Sequence, residues 1–193
     1  MAEVLLLHHA LGLTAGCLSF ADEVRDAGHV VHAPDLYEGK TFTDLTDGGR
    51  HAEEEVGFDT IIERGRLAAD SLSNGLVYAG FSLGVLPAQM LAQTRPGARG
   101  ALLFHACVPP SELGGNWPQT VPLQIHMMED DEIVREGGDL YAARQLAETV
   151  ERAELFLYPG ARHLFADSSL SDYDESATAL LKQRVLGLLD EVE

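Results

Sequence analysis

The sequence predicts an α/β fold in which a mostly parallel, six-stranded sheet is flanked by helices on both faces. Three observations carry that expectation. Strand-like and helix-like segments alternate along all 193 residues. Runs such as Leu76-Val77-Tyr78-Ala79 and Ala101-Leu102-Leu103-Phe104 are apolar without alternation, as strands covered on both faces are. No repeat, low-complexity tract or Pro/Ser-rich linker divides the chain, so one domain over residues 1–193 is expected.

The elements follow in order. Val4–Leu7 reads as the first strand, and a Gly12 to Gly16 turn leads into a helical pattern through Leu18, Phe20, Val24 and Ala27 that Gly28 stops. Val30–Ala33 is the second strand, closed by Pro34. The Gly-, Thr- and Asp-rich stretch from Tyr37 to Arg50 reads as loop, and Glu53–Leu72 as one helix with Val56, Ile61, Ile62, Leu67 and Ala68 inward. Leu76–Ala79 is a strand, Gly80–Gly84 a turn, and the helix through Leu86, Met90 and Leu91 stops before Pro96. Ala101–His105, Val121–Met127 and Glu154–Tyr158 complete the strands, with helices over Asp139–Val150 and Tyr173–Leu189.

Thirteen Lys and Arg against 31 Asp and Glu leave a net charge of −18, which repels phosphate backbones and anionic lipid. Nucleic acid and membrane surfaces are therefore not expected as partners. The apolar runs fall far short of the roughly 20 residues that span a bilayer. The N-terminus lacks a basic, then apolar, export signal, and Cys17 and Cys107 form no close-spaced pair, so a cytoplasmic protein with reduced thiols is expected.

In an open parallel sheet, ligands meet the loops beyond the carboxyl ends of the strands. There the pattern Gly80-Phe81-Ser82-Leu83-Gly84 stands between a strand and a helix. A serine on so tight a turn is pushed out above the sheet, and glycines two before and two after let strand and helix approach. A serine hydroxyl is a weak nucleophile and needs a base oriented by an acid, in the chain order Ser, acid, His. His163 is the one histidine that follows both the serine and an acid cluster at a strand end. Within that cluster Asp131 is preferred, with Asp130 and Glu129 as alternatives. The backbone N–H groups of Leu83 and Ala10 are the expected oxyanion donors. His9, Phe81 and Trp117 are weaker candidates for substrate contact. No HExxH, CxxC, GxGxxG or full GxxxxGK[ST] pattern is present, so neither metal nor cofactor is expected.

These residues resemble the dienelactone hydrolases of the α/β-hydrolase superfamily. The resemblance rests on Ala33-Pro34-Asp35-Leu36-Tyr37, on Gly80-Phe81-Ser82-Leu83-Gly84, and above all on Tyr158-Pro159-Gly160-Ala161-Arg162-His163-Leu164-Phe165-Ala166-Asp167, with Tyr173 downstream. It implies a compact α/β-hydrolase fold with a Ser-His-Asp site, and it supports Asp131, three residues before Val134. Three departures limit what carries over. Dienelactone-cleaving members have Cys where Ser82 stands, Glu where His9 stands, and, four residues after the histidine, a substrate-gripping Arg where Asp167 stands. A dianionic substrate is therefore disfavoured. The chain starts at the first parallel strand, so a version without the leading hairpin is expected, its shallow site covered mainly by the Tyr37 to Arg50 loop.

The leading expectation is a serine hydrolase of small carboxylic esters, lactones or thioesters, acting as a monomer or homodimer. The alternative is a non-catalytic scaffold of the same fold that binds a small molecule or protein.

Overall fold

A computed structural model describes residues 1–192. Six parallel strands lie in the order β2-β1-β3-β4-β5-β6. They are β1 (Glu3–Leu7), β2 (Val30–His32), β3 (Leu76–Phe81), β4 (Gly100–Phe104), β5 (Leu123–Met128) and β6 (Ala153–Tyr158). Among the described residues, seven α-helices surround them: α1 (Ala15–Asp26), α2 (Leu45–Arg50), α3 (Phe58–Asp70), α4 (Val85–Thr94), α5 (Glu132–Glu136), α6 (Asp139–Thr149) and α7 (Glu175–Glu191).

Because successive strand side chains point to opposite faces, the sheet divides the core in two. Leu5, Leu7, Tyr78 and Leu103 face α3, α4 and α6, in contact with Ile61, Ala88 and Leu146. Val4, Leu6, Val77 and Phe104 face α1 and α7, against Phe20, Val24, Leu181 and Val185. Each fully buried Leu, Val or Phe contributes about 1.5–3 kcal/mol relative to exposure, so both faces hold the sheet rigid beneath its loops.

Two expectations are corrected. The Tyr37 to Arg50 stretch is not all loop, because Asp44 caps α2, its side chain accepting from the Thr46 and Asp47 amides. Nor is Glu53–Leu72 one helix. A π-helical turn over His51–Val56 ends at Gly57, whose φ of 84° breaks the helix before α3 begins. Leu67, read as inward, is 54% exposed, since it lies on the far side of α3 from Ile61, Gly65 and Ala69. Gly65 is where α3 meets α4, because a Cβ there would stand 2.4 Å from Pro87.

Candidate active site

The serine turn follows directly from β3. Ser82 has φ 46°, the left-handed region that non-glycine residues seldom adopt, so the turn stores strain. Its two glycines are steric necessities. A Cβ on Gly80 would lie 2.3 Å from the Gly84 carbonyl, and one on Gly84 would lie 2.3 Å from the Leu7 carbonyl. The turn thus packs against the end of β1, and α4 leaves from beneath the serine.

The loop after β6 brings His163 over this turn. Ser82 Oγ lies 2.8 Å from His163 Nε2. On the other side of the ring, His163 Nδ1 donates to Asp131 Oδ2 at 2.7 Å. That leaves Nε2 with its lone pair toward the hydroxyl. Asp131 is held in place because it also caps α5, its Oδ1 accepting from the Ile133 amide at 3.0 Å. Asp130 instead pairs with Arg135 at 3.1 Å on the surface, and Glu129 is exposed. Asp131 is buried, so of the three acids it is the one that meets the histidine.

Leu83 is the second residue of the short helical turn that begins at Ser82, in the first turn, where N–H groups have no partner within the helix. In the loop after β1, the amide of Leu11 bonds to His9 Nδ1 and that of Gly12 to the His9 carbonyl, leaving the Ala10 amide between them without a partner among the described residues.

The three weaker candidates fall elsewhere. Phe81 is buried among Phe20, Phe104 and His105 as core. Trp117 is buried as well, its indole N–H donating to the Val121 carbonyl at 2.9 Å. It lines a separate cleft against α6. His9 is fully buried and touches no open space. It donates from Nε2 to Asp167 Oδ2 at 2.8 Å. Cys107 is sealed in the core, and burial pushes its thiol up, away from nucleophile character. A cleft of about 230 Å³ is lined by Leu11, Thr43, Asp44, Leu45, Leu164, Leu170, Ser171 and Asp172, with no Lys or Arg; it takes in neighbours of Ala10 and His163 but neither Ser82 nor His163 itself.

A second cluster went unnoticed in the sequence because its members lie far apart there. Asp167 accepts from His9, from Thr14 Oγ1 at 2.5 Å, and from the Ser169 amide and hydroxyl at 2.8 and 2.6 Å. Cys17 Sγ stands 3.4 Å from His9 Nε2 and 3.8 Å from Asp167 Oδ2. Burial pushes the Asp167 carboxyl up, but the bonds from His9, Ser169 and Thr14 outweigh it and hold the group below the ordinary carboxylate range. Burial pushes the His9 imidazolium down, while Asp167 and Cys17 pull its pKa upward. A second proton, on Nδ1, would meet the Leu11 N–H, so the geometry keeps the ring neutral, with its one proton on Nε2 donating to Asp167.

The group of His9, Cys17 and Asp167 has the residue types of a metal site, all within 4.8 Å of one another. The donor chemistry does not fit one. A metal on Nε2 needs a lone pair there and a proton on Nδ1, where the Leu11 N–H already points. Nearby His105 carries no motif that marks it in the sequence. It is buried with both ring nitrogens unpartnered, 6.0 Å from the His163 ring, and burial keeps it neutral.

A strained serine turn at the end of a central parallel strand, with a histidine and an acid on later strand-end loops, defines an α/β-hydrolase. The sequence pattern of the dienelactone hydrolase family matches residues 1–193, and the chain belongs to that family of enzymes acting on ester bonds. No curated protein matches it. Among solved structures, a dienelactone-hydrolase-like promiscuous phosphotriesterase from metagenomic libraries superposes with a TM-score of 0.78 at 18% identity, over 100% of this chain and 87% of that one. Esterase PE8 gives 0.61 at 20% identity, over 94% and 92%. The apo form of Thermogutta terrifontis esterase 2 gives 0.58 at 17% identity, over 97% and 83%. At such identities the likeness is one of fold. No helix among the described residues is long and apolar enough to cross a membrane.

Proposed function

We propose that this protein, as one domain, hydrolyses small carboxylic esters, lactones or thioesters through an acyl-enzyme on Ser82. The observation that carries the reading is the bond chain Ser82 Oγ to His163 Nε2 at 2.8 Å and His163 Nδ1 to Asp131 at 2.7 Å. In the first half-reaction Ser82 Oγ bonds to the substrate carbonyl carbon while its proton passes to His163 Nε2. The carbonyl oxygen takes up negative charge, which the Leu83 and Ala10 amides would meet. Asp131 stabilises the imidazolium and keeps its tautomer. As the tetrahedral intermediate collapses, His163 returns the proton to the leaving oxygen or sulfur. Water then repeats the sequence on the acyl-serine, giving the carboxylic acid and free Ser82.

The cleft of about 230 Å³ that Leu11 and Leu164 line, on the two loops that carry Ala10 and His163, has the size for a small acyl or leaving group. Asp44 and Asp172 in its lining, without a facing cation, favour neutral or cationic esters over dianionic ones.

A fluorophosphonate probe with peptide mass spectrometry, beside hydrolysis of short p-nitrophenyl esters, tests the reading. Related Thermogutta terrifontis esterase 2 has been seen phosphonylated by cyclosarin, so such probes suit the fold. An adduct on Ser82 that disappears in His163→Ala is the expected result. Folded wild-type protein that neither labels nor turns over esters would instead indicate a binding scaffold.

A further inference from the structure

Two loops that meet at the candidate site come from opposite ends of the chain. One is the His9–Gly12 loop after β1, which carries the Ala10 amide, and the other is the loop after β6, which carries His163. The bond that joins them is His9 Nε2 to Asp167 Oδ2, across 158 residues of sequence.

We propose that the buried His9–Asp167 pair is a clasp that positions the Ala10 amide for the oxyanion, so that both residues are positioning residues for the hydrolysis read above. None of their hydrogen bonds goes to Ser82 or His163.

Each side of the clasp is locked. On the Asp167 side, the Asp167 amide closes a turn onto the Leu164 carbonyl at 3.1 Å, immediately after His163. The carboxylate is saturated by His9, Thr14 and Ser169. Thr14 in turn caps α1, accepting from the Cys17 amide at 3.2 Å, so the clasp is anchored to a helix end. Gly16 leaves room for it, since a Cβ there would stand 1.7 Å from Asp167 Oδ1.

On the His9 side, the ring and carbonyl gather the loop. The Leu11 amide bonds to His9 Nδ1 at 3.3 Å and the Gly12 amide to the His9 carbonyl at 3.0 Å. His8 Nδ1 donates to that same carbonyl at 2.8 Å while its Nε2 accepts from the Leu36 amide at 2.9 Å. Two of three successive amides are thus turned inward, and only that of Ala10 is left to point elsewhere. A loop amide free by itself would fluctuate, and misplacement by about 1 Å at a reacting centre can cost on the order of 10²-fold in rate.

The test is steady-state ester hydrolysis with three variants. His9→Asn keeps an acceptor near the Nδ1 position but is too short to reach Asp167. His9→Gln keeps an N–H near the Nε2 position. Gly16→Ala displaces the Asp167 carboxylate without altering either partner. We expect His9→Asn and Gly16→Ala to lower kcat by about 10- to 100-fold with KM changed less than about threefold. His9→Gln should recover most of the loss. A part that merely supports the fold would lower melting temperature without that kcat-only split. Should either of the first two fail to fold, Ser169→Ala, which removes one donor from Asp167, reads the same split on a smaller scale.

Wild-type kcat in folded His9→Asn and Gly16→Ala, or equal losses in the Asn and Gln variants, overturns the clasp alone. Wild-type protein without Ser82-dependent turnover removes the reading on which it rests, and the clasp with it.

Discussion

Among the described residues, two buried His–Asp pairs each stand beside a potential nucleophile, and they are wired differently. In one, Asp131 takes Nδ1 of His163 and Ser82 takes Nε2, on opposite sides of the ring. In the other, Asp167 and Cys17 both face Nε2 of His9, and a backbone amide takes Nδ1. A proton can be accepted at one nitrogen while the other stays paired to its acid only in the first arrangement. Residue types alone would name both as nucleophile-His-acid sets. Which nitrogen each partner takes separates an arrangement able to relay a proton from one that can only hold its partners together.

The largest expected effect breaks the comparison outright if it fails. Ser82→Ala should lower kcat by at least roughly 10³-fold in ester hydrolysis, with a melting temperature near that of wild type. If Cys17→Ala did this and Ser82→Ala did not, the two assignments would have to be exchanged. Asp131→Asn comes next. It keeps an oxygen to cap α5 but turns an N–H toward His163 Nδ1, reversing the tautomer, and should cost on the order of 10³- to 10⁴-fold in kcat.

The clasp should show itself in stability against pH. The Asp167 carboxyl is held below its ordinary value in the fold, so its contribution is present above about pH 4 and lost as pH falls toward the folded value. Thermal denaturation from pH 3 to 7 should show that loss on the acid side, and Asp167→Asn should flatten it. An unchanged profile in that variant would show that the pair carries no proton linkage.

The smallest effect sharpens the contrast. Cys17→Ala should cost about 1 kcal/mol of stability for lost packing and leave kcat within about twofold, because the long contacts of its thiol to His9 and Asp167 add little to a pair already bonded to each other. A loss beyond tenfold in hydrolysis would give the thiol a role the wiring denies it.

Much of this site was legible in one dimension. Gly80, Ser82 and Gly84 are a local steric problem, and the spacing states its solution. His163 was singled out by chain order, and Asp131 by its place after a strand and by the family likeness. The helix break at Gly57 was hidden because apolar spacing continues through it, and a single glycine in a helical pattern does not announce a positive φ. Phe81 and Trp117 read as candidates because aromatic residues near strand ends serve pockets and cores alike. The two departures from the family pattern, His9 and Asp167, were visible one by one. That they are a single feature, a bonded pair, was not.

By itself, then, the sequence determined the alternation of strands and helices, the serine turn and the order of serine, acid and histidine, since each depends on residues close in the chain or on their succession. Only the tertiary structure decided which acid meets His163, which ring nitrogen each partner takes, and that His9 closes onto Asp167. Those choices turn on bond directions of a few ångströms between segments up to 158 residues apart, and no one-dimensional spacing encodes them.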